Sequence, residues 1–142
     1  MVYDNEMKMI FSGKSQNEAL ARISVTAFIT QLDPTISDVN DIKTAVSEAV
    51  TNAIIHGYEN REGEVILQCR CVGREVYIDV EDKGRGIGDI REAMEPLYTS
   101  KPEMERSGMG FTVMESFMDK VEVFSELGSG TKVRMSKKLI QS

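Results

Sequence analysis

The chain reads as an α/β (α+β) fold: a two-layer sandwich with a mixed, mostly antiparallel sheet and helices on one face. Three observations predict it. Two long stretches with helical apolar spacing come early, between residues 18 and 57. Four β-rich stretches then pair off around tight turns at Gly73-Arg74 and Leu127-Gly-Ser-Gly130. No apolar run approaches the ~20 residues of a membrane span. Helices followed by antiparallel strands favour a layered sandwich over a bundle or a barrel.

Each element has its own reason. Met7–Phe11 alternates as a strand does. From Glu18 to Leu32, Leu20, Ile23, Ala27 and Leu32, flanked by Val25 and Phe28, give the apolar stripe expected of a helix. Asp33-Pro34 stops it, because proline disfavours helix at the residue before it. Ser37 or Asp38 is the expected cap of a second helix, whose apolar face includes Val39, Ile42, Val46, Ala49, Val50, Ala53 and Ile54. Gly57 is its expected left-handed terminator. Glu64–Val72 and Glu75–Glu81 form a hairpin across Gly73-Arg74. Asp89–Glu95 is expected as a short helix, Pro96–Ser107 as a loop and Gly108–Met118 as a helix. Lys120–Glu126 and Thr131–Lys138 are the final strands. There is no repeat or linker, so residues 1–142 are expected as one domain.

Bulk composition narrows the function. A hydrophobic fraction of 41% and a charged fraction of 28% are those of a soluble globule. A net charge of −6 argues against non-specific nucleic-acid binding, which needs a basic patch. The N-terminus lacks a basic region followed by an apolar one, so a cytoplasmic location is expected. Cys69 and Cys71 sit two apart in a strand, pointing to one face, and read as packing residues in a reduced compartment.

Four clusters carry the chemistry. Glu48 and Asn52 are four apart on a helix and share a face. A neutral Asn52 oxygen suits Mg²⁺ whose other ligands are phosphates and water. Glu48 is placed to take a proton from an attacking hydroxyl or to orient a water. His56, the single histidine, reads as a helix-end residue and not a phosphoacceptor. Asp82 ends a strand before Gly84 and Gly86, whose missing Cβ atoms let a ligand approach. A carboxylate held there accepts a hydrogen bond from the exocyclic amine of adenine and not from the carbonyl oxygen of guanine. Ser107, Gly108, Met109, Gly110 and Phe111 open a helix whose free N–H groups suit phosphate. Gly128-Ser-Gly130-Thr131 is the fourth cluster.

In this order and spacing, the clusters resemble the GHKL ATPase family, which includes gyrase, Hsp90, MutL and the histidine-kinase ATP domain. The resemblance implies the Bergerat ATP-binding fold and an ATP or ADP ligand with Mg²⁺. It likens Glu48 to His56 to the family's N box and matches Thr131 to the threonine beside the adenine-binding aspartate. Residues 96–107 fall where the family has its ATP lid, with Thr99, Ser100 and Lys101 within reach of phosphates. Phe111 stands where leucine is usual, in a packing position.

Ser47–Tyr58, Thr99–Phe111 and Leu32-Asp-Pro-Thr35 are most similar to the sporulation branch of the serine-kinase anti-sigma factors. That branch implies two activities: holding a sigma factor away from RNA polymerase, and phosphorylating a serine on an anti-anti-sigma factor. It further implies a homodimer built on the sheet edge and first helix, and a partner surface on the first helix and lid that includes Arg22 and Arg106. Competing readings are a kinase/anti-sigma protein for a stress-response sigma factor, and a nucleotide-gated binding module with little transfer. A histidine-kinase ATP domain, giving an acid-labile product, is disfavoured by the short lid and by the lack of a helical acceptor module.

Overall fold

The computed structural model of the protein describes residues 2–57, 63–84 and 110–140. Five strands form one sheet: β1 (Asn5–Ser12), β2 (Glu64–Val72), β3 (Glu75–Asp82), β4 (Lys120–Glu126) and β5 (Gly130–Lys138). Their spatial order is β1-β2-β3-β5-β4, and each described neighbouring pair is antiparallel. Among the described residues, the helices α1 (Asn17–Thr30), α2 (Ile36–Asn52) and α3 (Gly110–Phe117) cover one face. The expected helix at Asp89–Glu95 and the loop at Pro96–Ser107 lie outside the described residues.

The sheet register explains the core. Met9, Leu67, Val80, Val133 and Val123 lie side by side across all five strands. Met7, Cys69, Ile78, Met135 and Val121 make the next row on the same face. Period-two alternation therefore turns five separate strand patterns into one continuous apolar surface. Ile42, Ala45, Val46, Ala49 and Val50 of α2 pack over it, with Met114 of α3. Cys69 and Cys71 are buried and free, as packing residues should be, and burial pushes the Cys69 thiol up to about 12.

Helix α1 corrects one expectation. The residues it buries are Ala21, Val25, Phe28 and Ile29, not the stripe through Leu20, Ile23 and Ala27. Leu20 is 45% and Ile23 65% exposed. Both sets have helical spacing, so periodicity shows that a helix forms without showing which stripe meets the sheet. The start of α2 is a second correction. Its cap is Thr35, whose hydroxyl accepts from the Asp38 amide at 3.1 Å, two residues before the expected Ser37. At its other end, α2 widens into a π-helical turn over Ala53–Gly57, a distortion the sequence did not announce.

Polar side chains close the joints. Asp38 is fully buried and its Oδ2 accepts from the Ile140 amide at 2.7 Å. The Arg74 guanidinium donates to the carbonyls of Leu32 at 2.7 Å, Asp33 at 3.2 Å and Ile140 at 2.7 Å. The connection between α1 and α2 and the end of the chain thus share one side chain. Lys137 donates to the last carbonyl of α3, Phe117, at 2.9 Å, a favourable charge for a helix C-terminus.

On the opposite face of the sheet, Asp79 is 3% exposed. It pairs with Arg70 of β2 and with Arg134 of β5, the latter at 3.0 Å. The Arg70 guanidinium also lies 5.3 Å from the Tyr3 ring centre, and that of Arg134 lies 5.6 Å from that of Phe124. Flat cations over aromatic rings shield the carboxylate on a face that no described helix covers.

Candidate functional site

One row of the sheet breaks the apolar pattern. Across the strands it runs Phe11, Val65, Asp82, Thr131 and Ser125, all on the helix-covered side. The first two are apolar and the last three polar. Asp82 is 4% and Thr131 9% exposed, so a carboxylate and a hydroxyl are buried together at one end of the core. Such groups are costly to desolvate unless partnered.

Their partners are visible. The Gly84 amide donates to Asp82 Oδ1 at 2.9 Å, closing the turn that the glycine permits. Thr131 faces Asp82 across β3–β5 and Ser125 across β4–β5. The Thr131 and Ser125 hydroxyl oxygens are 2.7 Å apart, and Ser125 Oγ donates to the Gly130 carbonyl at 3.0 Å. Burial raises the Asp82 carboxyl to about 6, against the opposing pull of the Gly84 and Thr131 amides. A cleft of about 520 Å³ opens here, reached by Asp82, Ser125, Gly130 and Thr131 and continuing past Phe124 onto the other face.

Gly130 makes the close packing possible. Its φ is +94°, and a Cβ on it would sit 2.1 Å from the Asp82 carbonyl oxygen. Only glycine fits there. In the sequence Gly130 stands out only as part of a turn cluster, and nothing local singles out Ser125. Both become visible once the β4–β5 register is counted outward from the turn at residues 127–129.

Glu48 and Asn52 are half-buried on α2, away from the fully buried Ala45, Val46, Ala49 and Val50. Asn52 is the last residue before the π-helical turn. Phe111 is partly buried and packs against the core, and the described part of α3 begins at Gly110. Arg22 is placed differently. It sits on α1, paired at 3.1 Å with Glu18, which also accepts from Ser47 of α2 at 3.1 Å. Gly86, Thr99, Ser100, Lys101, Arg106, Ser107, Gly108 and Met109 lie outside the described residues, and the side chain of His56 is likewise not described. Among the described residues, no three His, Cys, Asp or Glu side chains gather as a metal cage, and no helix is long and apolar enough to cross a membrane.

Among the described residues, a five-stranded antiparallel sheet under helices, with an acid and a threonine buried at one end of its inner strands β3 and β5, defines a class. The chain belongs to the histidine kinase-like ATPase domain family, whose pattern matches residues 11–137. Membership in an ATPase-domain family implies nucleotide binding. Within it, the chain is 62% identical over 136 residues to the anti-sigma F factor of Clostridium kluyveri, covering 96% of both chains. It is 63% identical over 137 residues to the anti-sigma F factor of Clostridium perfringens, covering 96% of this chain and 98% of that one. Among solved structures, it superposes on the RsbU and RsbW domains of Rv1364c from Mycobacterium tuberculosis with a TM-score of 0.71. That match has 17% identity and covers 97% of this chain and 33% of the other, so it speaks to the fold.

Proposed function

We propose that the protein is an anti-sigma factor that is also an ATP–Mg²⁺-dependent serine protein kinase. It binds and inhibits a sporulation sigma factor in the cytoplasm, and it phosphorylates and inactivates an anti-anti-sigma factor. The observation that carries this reading is the buried Asp82–Thr131 pair at the polar end of the sheet row, in a chain 62% identical to an anti-sigma F factor.

Each residue has a task. Asp82, held by the Gly84 amide, accepts from the exocyclic amine of adenine. Asn52 offers one neutral oxygen to Mg²⁺, which prefers phosphate and water for its remaining positions. On the family resemblance, backbone amides of Ser107 to Phe111 would hold charge on the phosphates, with Thr99, Ser100 and Lys101 as further phosphate-binding residues. Glu48 accepts the proton of the attacking serine hydroxyl. Bound ATP–Mg²⁺ supplies the phosphoryl group, so the protein's share of the work is positioning and charge.

The exposed Leu20–Ile23 stripe of α1 supports a partner surface there, with Arg22 at its side and Arg106 contributed by the lid. Two copies of the chain form the working unit, through the sheet edge and α1.

The test is transfer of labelled phosphate from ATP–Mg²⁺ to a candidate anti-anti-sigma protein. The expected product is an acid-stable phosphoserine, followed by retention of a sigma factor on the immobilised protein. ATP binding without transfer to any candidate would reduce the protein to a nucleotide-gated binding module. An acid-labile product would move it to histidine chemistry.

A further inference from the structure

We propose that Lys137 is a positioning residue for the phosphates of the nucleotide: it holds α3 from its C-terminal end, and so fixes the Gly110 end of that helix relative to the base corner at Asp82 and Thr131. The inference rests on the ATP reading above and deepens it.

A lysine breaks the pattern at this position. Strand β5 turns Thr131, Val133, Met135 and Lys137 to the helix-covered side. The neighbours of Lys137 across β3 and β2, Val76 and Cys71, are buried. The lysine side chain is itself only 13% exposed, and a charge there is costly to desolvate unless it is partnered. Both of its partners are on helices. Nζ donates to the Phe117 carbonyl at 2.9 Å and lies 3.7 Å from Asp41 Oδ2 on α2. One side chain therefore joins β5, α2 and the last residue of α3.

Helix α3 needs such an anchor. Its eight residues make about 12 Å of helix, too short to be stable without tertiary contacts. Met114, at its middle, is fully buried, so the helix can tilt about that point unless an end is held. The C-terminal end is held at Phe117 by Lys137, and the chain leaving it is tied to β5 by the Asp119 amide, which donates to the Ser136 carbonyl at 2.9 Å. A rod that pivots at its middle moves both ends together. Loosening the grip at Phe117 therefore displaces the amides at Gly110. Thr131 and Lys137 stand about 20 Å apart on one strand. Strand β5 thus sets both halves of the site, the base corner through Thr131 and the phosphate helix through Lys137.

The experiment measures adenosine, ADP and ATP, with Mg²⁺, by calorimetry on the full chain. Lys137→Met keeps an apolar stem and loses the donor. ADP and ATP should bind about ten-fold more weakly, the worth of one charge-assisted hydrogen bond, while adenosine is unchanged. Lys137→Arg, which keeps the charge and the donors, should retain ADP and ATP binding. Asp41→Asn loosens the link from the α2 side and should give a smaller loss with the same selectivity, so it carries the test if Lys137→Met does not fold. Equal weakening of all three ligands, or no change in any, would make the lysine a stabilising residue only and overturn the role. A wild-type protein that bound ATP no more tightly than adenosine would instead overturn the phosphate reading of α3, and this inference with it.

Discussion

Gly130 and Asp82 touch so closely that the glycine hydrogen occupies the only space a side chain could take: a Cβ would lie 2.1 Å from the Asp82 carbonyl oxygen and 2.8 Å from the Lys83 Cα. Backbone atoms cannot step aside as a flexible side chain can. Gly130→Ala should therefore push β5 from β3 at the site. With the positive φ added, the expected loss is more than ~1 kcal/mol of stability. Denaturant titration should show it, and calorimetry should show weaker ATP binding. Wild-type behaviour in both would mean that the strands part there at little cost.

Asp82 predicts a pH dependence with a definite sign. Its carboxyl titrates near 6 in the folded protein against 3.8 for an ordinary aspartate. Between those values the native state holds the extra proton, so the contribution of this group to stability is greatest below 3.8 and is lost as pH rises through 6. Asp82→Asn should flatten that part of the stability curve. ATP affinity should move oppositely, falling below pH 6 as the acceptor is protonated. The asparagine variant should bind ATP weakly at every pH, because its amide can present a donor to the adenine amine.

Glu48 is the proposed proton acceptor, on the half-buried side of α2. Glu48→Ala should leave ATP binding near the wild-type value and lower phosphate transfer by ~10²–10⁴-fold, as for a lost general base. Single-turnover transfer from bound ATP measures this directly. Undiminished transfer would remove Glu48 from the role.

Asp79 lies on the opposite face and should separate stability from function. Asp79→Asn leaves Arg70 and Arg134 without their shared carboxylate. Their side chains are 15% and 35% exposed, so solvent softens the loss, and roughly 1–3 kcal/mol is expected, below the full cost of breaking a buried pair. The urea midpoint should fall while ATP affinity is retained.

Much of the fold was legible in local patterns. Both hairpins announce themselves, because glycine-bearing turns separate residues that alternate with period two. The bounds of β2 (Glu64–Val72) and β4 (Lys120–Glu126) in the structure are those that the sequence pattern marks. The acid-glycine turn at Asp82–Gly84 was legible too, since an acid before glycines has a local geometric meaning. Orientation was harder. Helix α1 carries two apolar stripes, and only the tertiary contact decides between Val25 and Ile23 for the core. The polar corner was half legible for a related reason. Asp82, Thr131 and Ser125 come from three strands, and their adjacency exists only in the register. Likewise, the cap of α2 fell on Thr35 because the hydroxyl must precede its amide partner by three residues, and Asp38 supplies that amide.

The grip of Arg74 on three carbonyls has a mechanical consequence. One guanidinium at the β2–β3 turn binds both the bend between the long helices and the backbone at Ile140. Load applied at the C-terminal end is carried across to that bend and does not stay in the last strand. Strand β5 is also clamped between β3 and β4. Separating it therefore breaks two ladders at once.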